Sequence, residues 1–409
     1  MIISKPQIST KNGEVILSAK IKFEKPPLNK PETAWFAFPE TYLPYISGRS
    51  DAFAAGLLPL AMVIREELVI EGDLSPRLLY GLGEAQSALN LLFPGQLAKV
   101  SIRANHLAPL AADQAGQACA TLFSGGVDST YTLMSHLPDR QPDPDFQVKY
   151  AVFVHGFDVP LQNKSSFNEA LQVFSQHIPA LGVEVIPCRT NLEYFTSGLL
   201  DWGVAHGEAI ISVGLVLDRL IHNFLVPSSY TLDALVPCGS SPLIDHWLST
   251  ETLQILHDGA QYSRVEKVEA FSHWPPVQQW LRVCTNESQR SGVYNCSRCE
   301  KCMRAMIRLD IFGVLKSFET FRQPFGRREI MHWSPQYEWG DAWMFDLMRL
   351  ARDRGRNDFI FPLWVAHFRG LLRIWMRRMI PKPLFLVLKK RKFPYRSNLF
   401  NPANLDENQ

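Results

Sequence analysis

No cysteine precedes Cys119, so the first hundred residues hold no candidate amino-terminal thiol nucleophile of the glutaminase kind. Asp and Glu are absent between Arg369 and Arg396, where ten of the 42 Lys and Arg fall; the remainder carries 32 basic against 40 acidic residues, a net charge of minus 8. The chain is therefore acidic over most of its length and basic towards its end. No uninterrupted run of about 18 apolar residues occurs, which argues against a membrane-spanning helix. The start, MIISKPQISTKNGEVIL, has no basic segment leading into a long apolar stretch. The expectation is a cytoplasmic protein without a secretion signal.

What is present is a globular composition: 409 residues, 46% hydrophobic and 20% charged. That length exceeds what one core usually organises, so several domains are expected. Residues 1–112 read as an N-terminal α+β domain. In it Val15, Leu17, Ala19, Ile21 and Phe23 alternate with polar residues like a half-buried strand, ELVIEG and LAKVSIRA read as further strands, and Ser75 with Pro76 opens a helix to about Leu92. Residues 113–320 alternate strands (ATLF, YAVFVHG, VEVIPC) with helices (128–137, 167–181 and 203–222), and YTLDALV reads as a later strand. This predicts an α/β fold, a parallel sheet flanked by helices whose ligands bind at the carboxyl ends of the strands. Residues 321–409 read as a helical, basic C-terminal region.

Directly after ATLF comes SGGVDS, residues Ser124, Gly125, Gly126, Val127, Asp128 and Ser129. A strand-to-helix turn of this kind presents free backbone N–H groups and the positive end of a helix dipole to an anion. The two glycines permit close approach and positive φ, and the serines add hydroxyl donors. Asp128 would repel a phosphate unless a cation intervened, which points to Mg2+. No Lys-Ser or Lys-Thr follows, so the loop is not of the Walker type.

Four of the seven cysteines, Cys284, Cys296, Cys299 and Cys302, form C-x11-C-x2-C-x2-C. Thiolates so spaced suit a structural Zn2+; an iron–sulfur cluster and unrelated buried thiols are the alternatives.

FSGGVDST resembles the signature of the N-type ATP pyrophosphatases, and together with the cysteine knot it is similar to the 7-cyano-7-deazaguanine synthase family. The likeness covers roughly residues 118–310; the first cysteine spacing is longer here, and the first and last hundred residues have no counterpart in the compact synthases. The resemblance implies a fold of the adenine nucleotide alpha hydrolase type. It also implies an ATP-dependent ligase or amidating enzyme that adenylates a carboxylate or amide of a deazapurine-like or partner-presented substrate, with release of pyrophosphate. It makes Asp128, Ser129 and Lys267 the expected catalytic residues, since Lys267 falls where the family carries a lysine ahead of an acidic residue, with Arg264 assisting. A solvated helix face through Arg264, Glu266, Lys267 and Glu269 is the competing reading. His155 follows the second strand of the α/β unit, and His206 and Gly207 stand where the family binds nucleotide; each also reads as an ordinary loop or cap residue. Gly239, Ser240, Ser241 and Asp245, in PCGSSPLID, are expected to line the substrate pocket, with a plain turn as the alternative.

A tRNA sulfur transferase and a nucleotide-binding protein without turnover are the other readings of the same loop. Three fates are open to the basic segment: docking on the acidic body or in a homodimer, binding nucleic acid, or lying on an anionic membrane surface. Arg369, Arg373 and Arg377 repeat every fourth residue opposite Leu372, Trp375, Met376 and Met379, and the aromatics of residues 332–343 read as packing residues.

Overall fold

The structure, a computed structural model, describes residues 1–25, 29–284, 294–321, 324–336 and 342–379. The chain forms two compact units, Met1–Arg322 and Gln323–Gln409.

The first unit begins with β1 (Ile2–Ile3), β2 (Gln7–Lys11), β3 (Glu14–Lys22) and β4 (Thr33–Pro39). There follow α1 (Asp51–Gly56), α2 (Leu58–Ile64), β5 (Leu68–Leu74), α3 (Pro76–Leu92) and β6 (Ile102–Leu107). In β3 the expected alternation is realised: Val15, Leu17, Ala19 and Ile21 are all buried. The Ser75 hydroxyl caps α3 by accepting from the Leu78 N–H at 3.0 Å. The chain then alternates β7 (Ala118–Leu122), α4 (Val127–Ser135), β8 (Val148–His155), α5 (Lys164–His177) and β9 (Glu184–Thr190). It continues with α6 (Leu192–Thr196), α7 (Trp202–Val216), β10 (Ile221–Pro227), β11 (Gln254–Asp258), α8 (Arg264–Ser272) and α9 (Glu300–Ile311).

Among the described residues all eleven strands belong to one sheet, in the order β11-β10-β7-β8-β9-β4-β3-β1-β5-β6, with β2 paired to β3. From β11 to β9 every pairing is parallel. The sheet as a whole is mostly parallel, and the class is α/β as expected. The division expected near residue 112 does not appear as a separation in space, because β4 pairs antiparallel with β9 through Phe36–Thr190 and Ala37–Arg189. Side chains extend this seam: Asn191 accepts from the Trp35 N–H at 3.0 Å and donates to the Thr33 carbonyl at 2.9 Å, and the Tyr42 hydroxyl donates to Glu184. Without β4, the outer row of β9 backbone groups would have no partner.

Two expected elements differ. The helix expected over residues 203–222 stops at Val216, and Ile221 already opens β10. α7 is buried nearly all round, so its apolar run passes into a fully buried parallel strand with no change of hydropathy to mark the boundary. YTLDALV is not a strand; it holds a 3-10 turn at Leu232–Ala234 and exposes Leu232, Leu235 and Val236.

Asp218, between α7 and β10, is buried, and its Oδ1 has no hydrogen-bond partner. Burial, and then the Asp51 carboxylate nearby, push it up to about 7. Between about pH 4 and 7 the unfolded chain has released this proton while the folded chain keeps it, so stability falls as pH rises through that window. Asp218→Asn removes the ionisable group. Its melting temperature is expected to exceed the native one at pH 8, with a gain of a few kcal/mol, and the two should converge below about pH 4. Parallel melting curves for the two proteins across this range would assign the titration elsewhere.

In the second unit, α10 (Arg327–His332), α11 (Ala342–Asp353) and α12 (Ile360–Met379) pack around buried Ile330, Leu347, Ala351, Leu363 and Ala366. Trp333 and Trp343 pack with ring centroids 5.5 Å apart, as packing residues should. Leu372, Trp375 and Met376 are exposed. The basic segment from Pro381 to Arg396 lies outside the described residues.

Candidate functional site

Numbered along the chain, the five parallel strands β7, β8, β9, β10 and β11 lie in the order 3-2-1-4-5. The chain winds outward from β7 through β8 to β9, then crosses back to place β10 on the other side of β7. At that reversal the loops leaving neighbouring strands turn away from each other and open a crevice at the carboxyl ends. SGGVDS leaves β7 there, and Ser228, Ser229 and Tyr230 leave β10.

The loop is held from several sides. The Phe123 N–H donates to the Val152 carbonyl (2.8 Å) and the Arg282 N–H to the Gly125 carbonyl (2.8 Å). The Ser124 and Ser129 hydroxyls lie 3.3 Å apart, and the Gly126 N–H donates to the Ser124 hydroxyl. Gly125 has φ +74°, and a Cβ there would lie 2.5 Å from the Phe174 ring. Its glycine is thus demanded by conformation and by the aromatic packing beneath the loop, where sequence reasoning expected room for a phosphate. Gly126 is different, since a Cβ there would meet nothing closer than the Ser124 hydroxyl at 3.2 Å. As the N-cap of α4 it leaves the amides of Val127, Asp128 and Ser129 in the first turn, where a helix offers no acceptor.

Asp128 faces cations. Arg264 Nε lies 3.1 Å from its Oδ2 and the terminal nitrogen 2.8 Å away, Lys267 Nζ is 3.7 Å from Oδ1, and Ser229 donates at 3.3 Å. Burial is the largest single influence and would raise this carboxyl, but the Arg264 guanidinium, the Lys267 ammonium and the Ser229 hydroxyl together outweigh it and hold Asp128 below its ordinary value. Arg264 and Lys267 thus place positive charge from the protein itself beside Asp128.

Both cations come from α8, which packs against α4 and α9. A capping box between Ser263 and Glu266 starts α8 and occupies the Glu266 carboxylate. Lys267 is only 1% exposed and donates to the Ser228 carbonyl at 2.6 Å. The solvated-face reading therefore fails for this lysine. Burial pulls its ammonium down from the ordinary lysine value, and Asp128 opposes that. At the end of β11, Asp258 accepts from Thr132 (2.6 Å) and His136 (3.0 Å), tying α4 in place from below.

Sequence reasoning missed three contributors: Ser229, Tyr230 and Arg304. Burial, then the Arg264 guanidinium, push Arg304 down to about 10, and Asp128 and Tyr230 also lie within its electrostatic reach. The available signal was its place two residues beyond Cys302, on the helix that the cysteines begin.

The remaining expected residues are occupied by the fold. His155 is buried, stacks on Phe167 (centroids 4.5 Å, 9°) and bonds the Pro160 carbonyl through Nε2 at 2.9 Å. Burial holds its ring below the ordinary histidine value, hence neutral. His206 bonds the Trp202 carbonyl through Nδ1 (3.1 Å), with Cys238 Sγ 3.9 Å from Nε2. Gly207 and Gly239 serve a close backbone crossing: a Cβ on Gly207 would lie 2.1 Å from the Gly239 carbonyl oxygen, and one on Gly239 would lie 2.3 Å from that of Val204. Asp245 is fully buried and accepts from the Ser240 hydroxyl (2.8 Å), the Ser241 N–H (3.0 Å) and His257 (2.7 Å). PCGSSPLID is thus a loop fastened to α7 and β11 by its own small and acidic residues.

The four cysteines converge. Their sulfurs all lie within 4.8 Å of one another, so the cluster can hold a metal ion. Cys284, Cys296 and Cys302 are buried and Cys299 is the N-cap of α9. Asn295 fixes the approach, its Oδ1 accepting from the N–H groups of Val283 (3.0 Å) and Cys284 (3.2 Å) and its Nδ2 donating to the Leu281 carbonyl (2.8 Å). Hydrogen bonds from the neighbouring thiols, Cys296 foremost, hold the Cys284 thiol well below its ordinary range. Among the described residues no other such group occurs, and no helix there is long and apolar enough to cross a membrane.

Comparison with protein-family models, curated proteins and solved structures finds no significant match.

Proposed function

We propose that the chain binds ATP at the β7–α4 turn and transfers its adenylyl group to a carboxylate or amide oxygen, releasing pyrophosphate, as its resemblance to the 7-cyano-7-deazaguanine synthase family implies. The observation that carries this reading is the gathering of Arg264, Lys267 and Arg304 around Asp128 in the first turn of α4, at a sheet reversal. A set of fixed cations and N–H donors in a partly dry crevice favours a group whose negative charge grows during reaction, as that of departing pyrophosphate does.

In this reading the substrate oxygen attacks the α-phosphorus, the α–β bridging bond breaks, and the cations take up the charge of the leaving pyrophosphate. A nitrogen nucleophile then attacks the activated carbon and AMP departs. Asp128, forked by Arg264, keeps the two α8 cations charged and in position; Mg2+ arrives with the nucleotide phosphates. Ser124 and Ser129 add hydroxyl donors.

The metal in the cysteine cluster is Zn2+ in this proposal. Four sulfurs at about 2.3 Å from one ion stand about 3.8 Å apart along each tetrahedral edge. Cys296–Cys302 and Cys284–Cys299 are each 3.8 Å apart. Four sulfurs leave no open position, so the ion holds α9, and with it Arg304, in place.

The test is product analysis. With α-labelled ATP, a deazapurine carboxylate and ammonium, AMP and pyrophosphate are expected in equal amounts. ADP and phosphate as products would overturn adenylation.

A further inference from the structure

α12 is apolar on two faces. One face packs within its own unit through Leu363, Ala366 and His367. The other exposes Phe361 (70%), Trp364, Phe368 (65%), Leu371, Leu372, Trp375 (58%) and Met376. At about 100° per residue these seven span an arc of about 140° along the helix. Phe345 of α11, also exposed, meets Trp364 edge-on at 6.2 Å and widens the patch. Isolated exposed apolar residues are ordinary; a continuous strip with four aromatic rings over four turns marks a surface that something covers.

Charge decides what covers it. Arg369 is exposed and, by helical position, borders the strip. From Phe359 to Leu405 the sequence contains no Asp or Glu and ten Lys or Arg. A second copy laid on this face would bring two such cationic segments together. A nucleic acid would meet an apolar strip with its phosphates. An anionic bilayer surface satisfies both features, since its interfacial layer accepts tryptophan, phenylalanine and leucine while its headgroups neutralise flanking cations. Arg369 and Arg373 interrupt the helix too often for it to cross a bilayer.

We propose that α12 lies in the headgroup layer of an anionic lipid membrane, with Phe361, Trp364, Phe368 and Trp375 inserted, and that this places the nucleotide-binding unit at a membrane surface.

The test uses the full chain and vesicles of phosphatidylcholine, alone or mixed with phosphatidylglycerol. Co-sedimentation is expected only with the mixed vesicles and should weaken as salt is raised. The triple variant Trp364→Ser/Phe368→Ser/Trp375→Ser changes only exposed side chains, and its binding should be weaker by about tenfold or more. Brominated lipid should quench the native tryptophan fluorescence but not that of Trp364→Phe/Trp375→Phe, which still binds. The proposal is overturned if the triple variant binds as well as the native chain, if neither binds vesicles, if the same substitutions instead abolish a dimer, or if tRNA and not lipid is retained.

Discussion

Replacing Cys302 by serine is expected to abolish the metal binding proposed for the cluster and to unfold the segment around α9. Cys302 is fully buried and contributes one of four convergent sulfurs. A hydroxyl is a poor substitute for a thiolate ligand, and the free energy of metal binding is in such knots folding free energy, on the order of 10 kcal/mol. The loss should be visible as metal content near zero, a melting transition lowered by far more than a surface substitution causes, and aggregation. Cys238→Ser, a half-exposed cysteine outside the cluster, serves as the control and should keep its full metal content. A Cys302→Ser protein with one metal per chain and an unchanged melting temperature would remove the cluster from the architecture. Anaerobic protein that is brown and contains iron would replace zinc by an iron–sulfur cluster.

Asp128→Ala should be almost as severe, and for a reason the sequence alone conceals. Read as a loop residue, Asp128 is dispensable to folding. In the structure it is the counter-charge of Lys267, which is 1% exposed, and of Arg264. Removing one partner of a buried ion pair leaves an uncompensated charge and costs about 3–5 kcal/mol, so the variant should lose both stability and AMP formation. The double variant Asp128→Asn/Lys267→Met distinguishes the two effects. It has no buried charge to strand at Lys267, so it is expected to recover much of the lost stability while still forming no AMP. Because the folded Asp128 carboxyl titrates below its unfolded value, its contribution is present above the unfolded pKa and is lost as pH falls through the folded one. Denaturation of Asp128→Asn should accordingly be less sensitive to acid than that of the native chain. If Asp128→Ala melts with the native protein, the pairing with Lys267 carries no stability.

What the sequence disclosed was local. SGGVDS declares itself because strand, turn and helix are contiguous, and the cysteines because thiols at C-x2-C-x2-C spacing are rarely incidental. The position of Lys267 came from resemblance; that it is buried and paired did not, since residues 264–269 read equally well as a charged, solvated face. Gly125 and Gly207 were singled out for a nucleotide, but the contacts that require a glycine there, with Phe174 and with the Gly239 backbone, are made by segments distant in sequence. The helix-to-strand passage between Val216 and Ile221 was hidden because both elements are buried on every side, and burial erases the periodicity by which one is told from the other. The continuity of the sheet across residue 112 was hidden similarly. Nothing in residues 33–39 announces that their partner is β9, a strand of the parallel half of the sheet.

The seam between β4 and β9 also sets an order of events during synthesis. Phe36 pairs with Thr190, about 150 residues later in the chain. At ~5–20 residues per second on a ribosome, β4 waits roughly 8–30 seconds for the strand it must meet. During that interval β1 to β6 can assemble among themselves, with the free edge of β4 open to any other extended chain nearby. The arrival of β9 closes that edge, and only then do β10 and β11 emerge to complete the crevice. The crevice is thus completed late in translation, and the period of greatest exposure to misassembly falls while the α/β half is still being made.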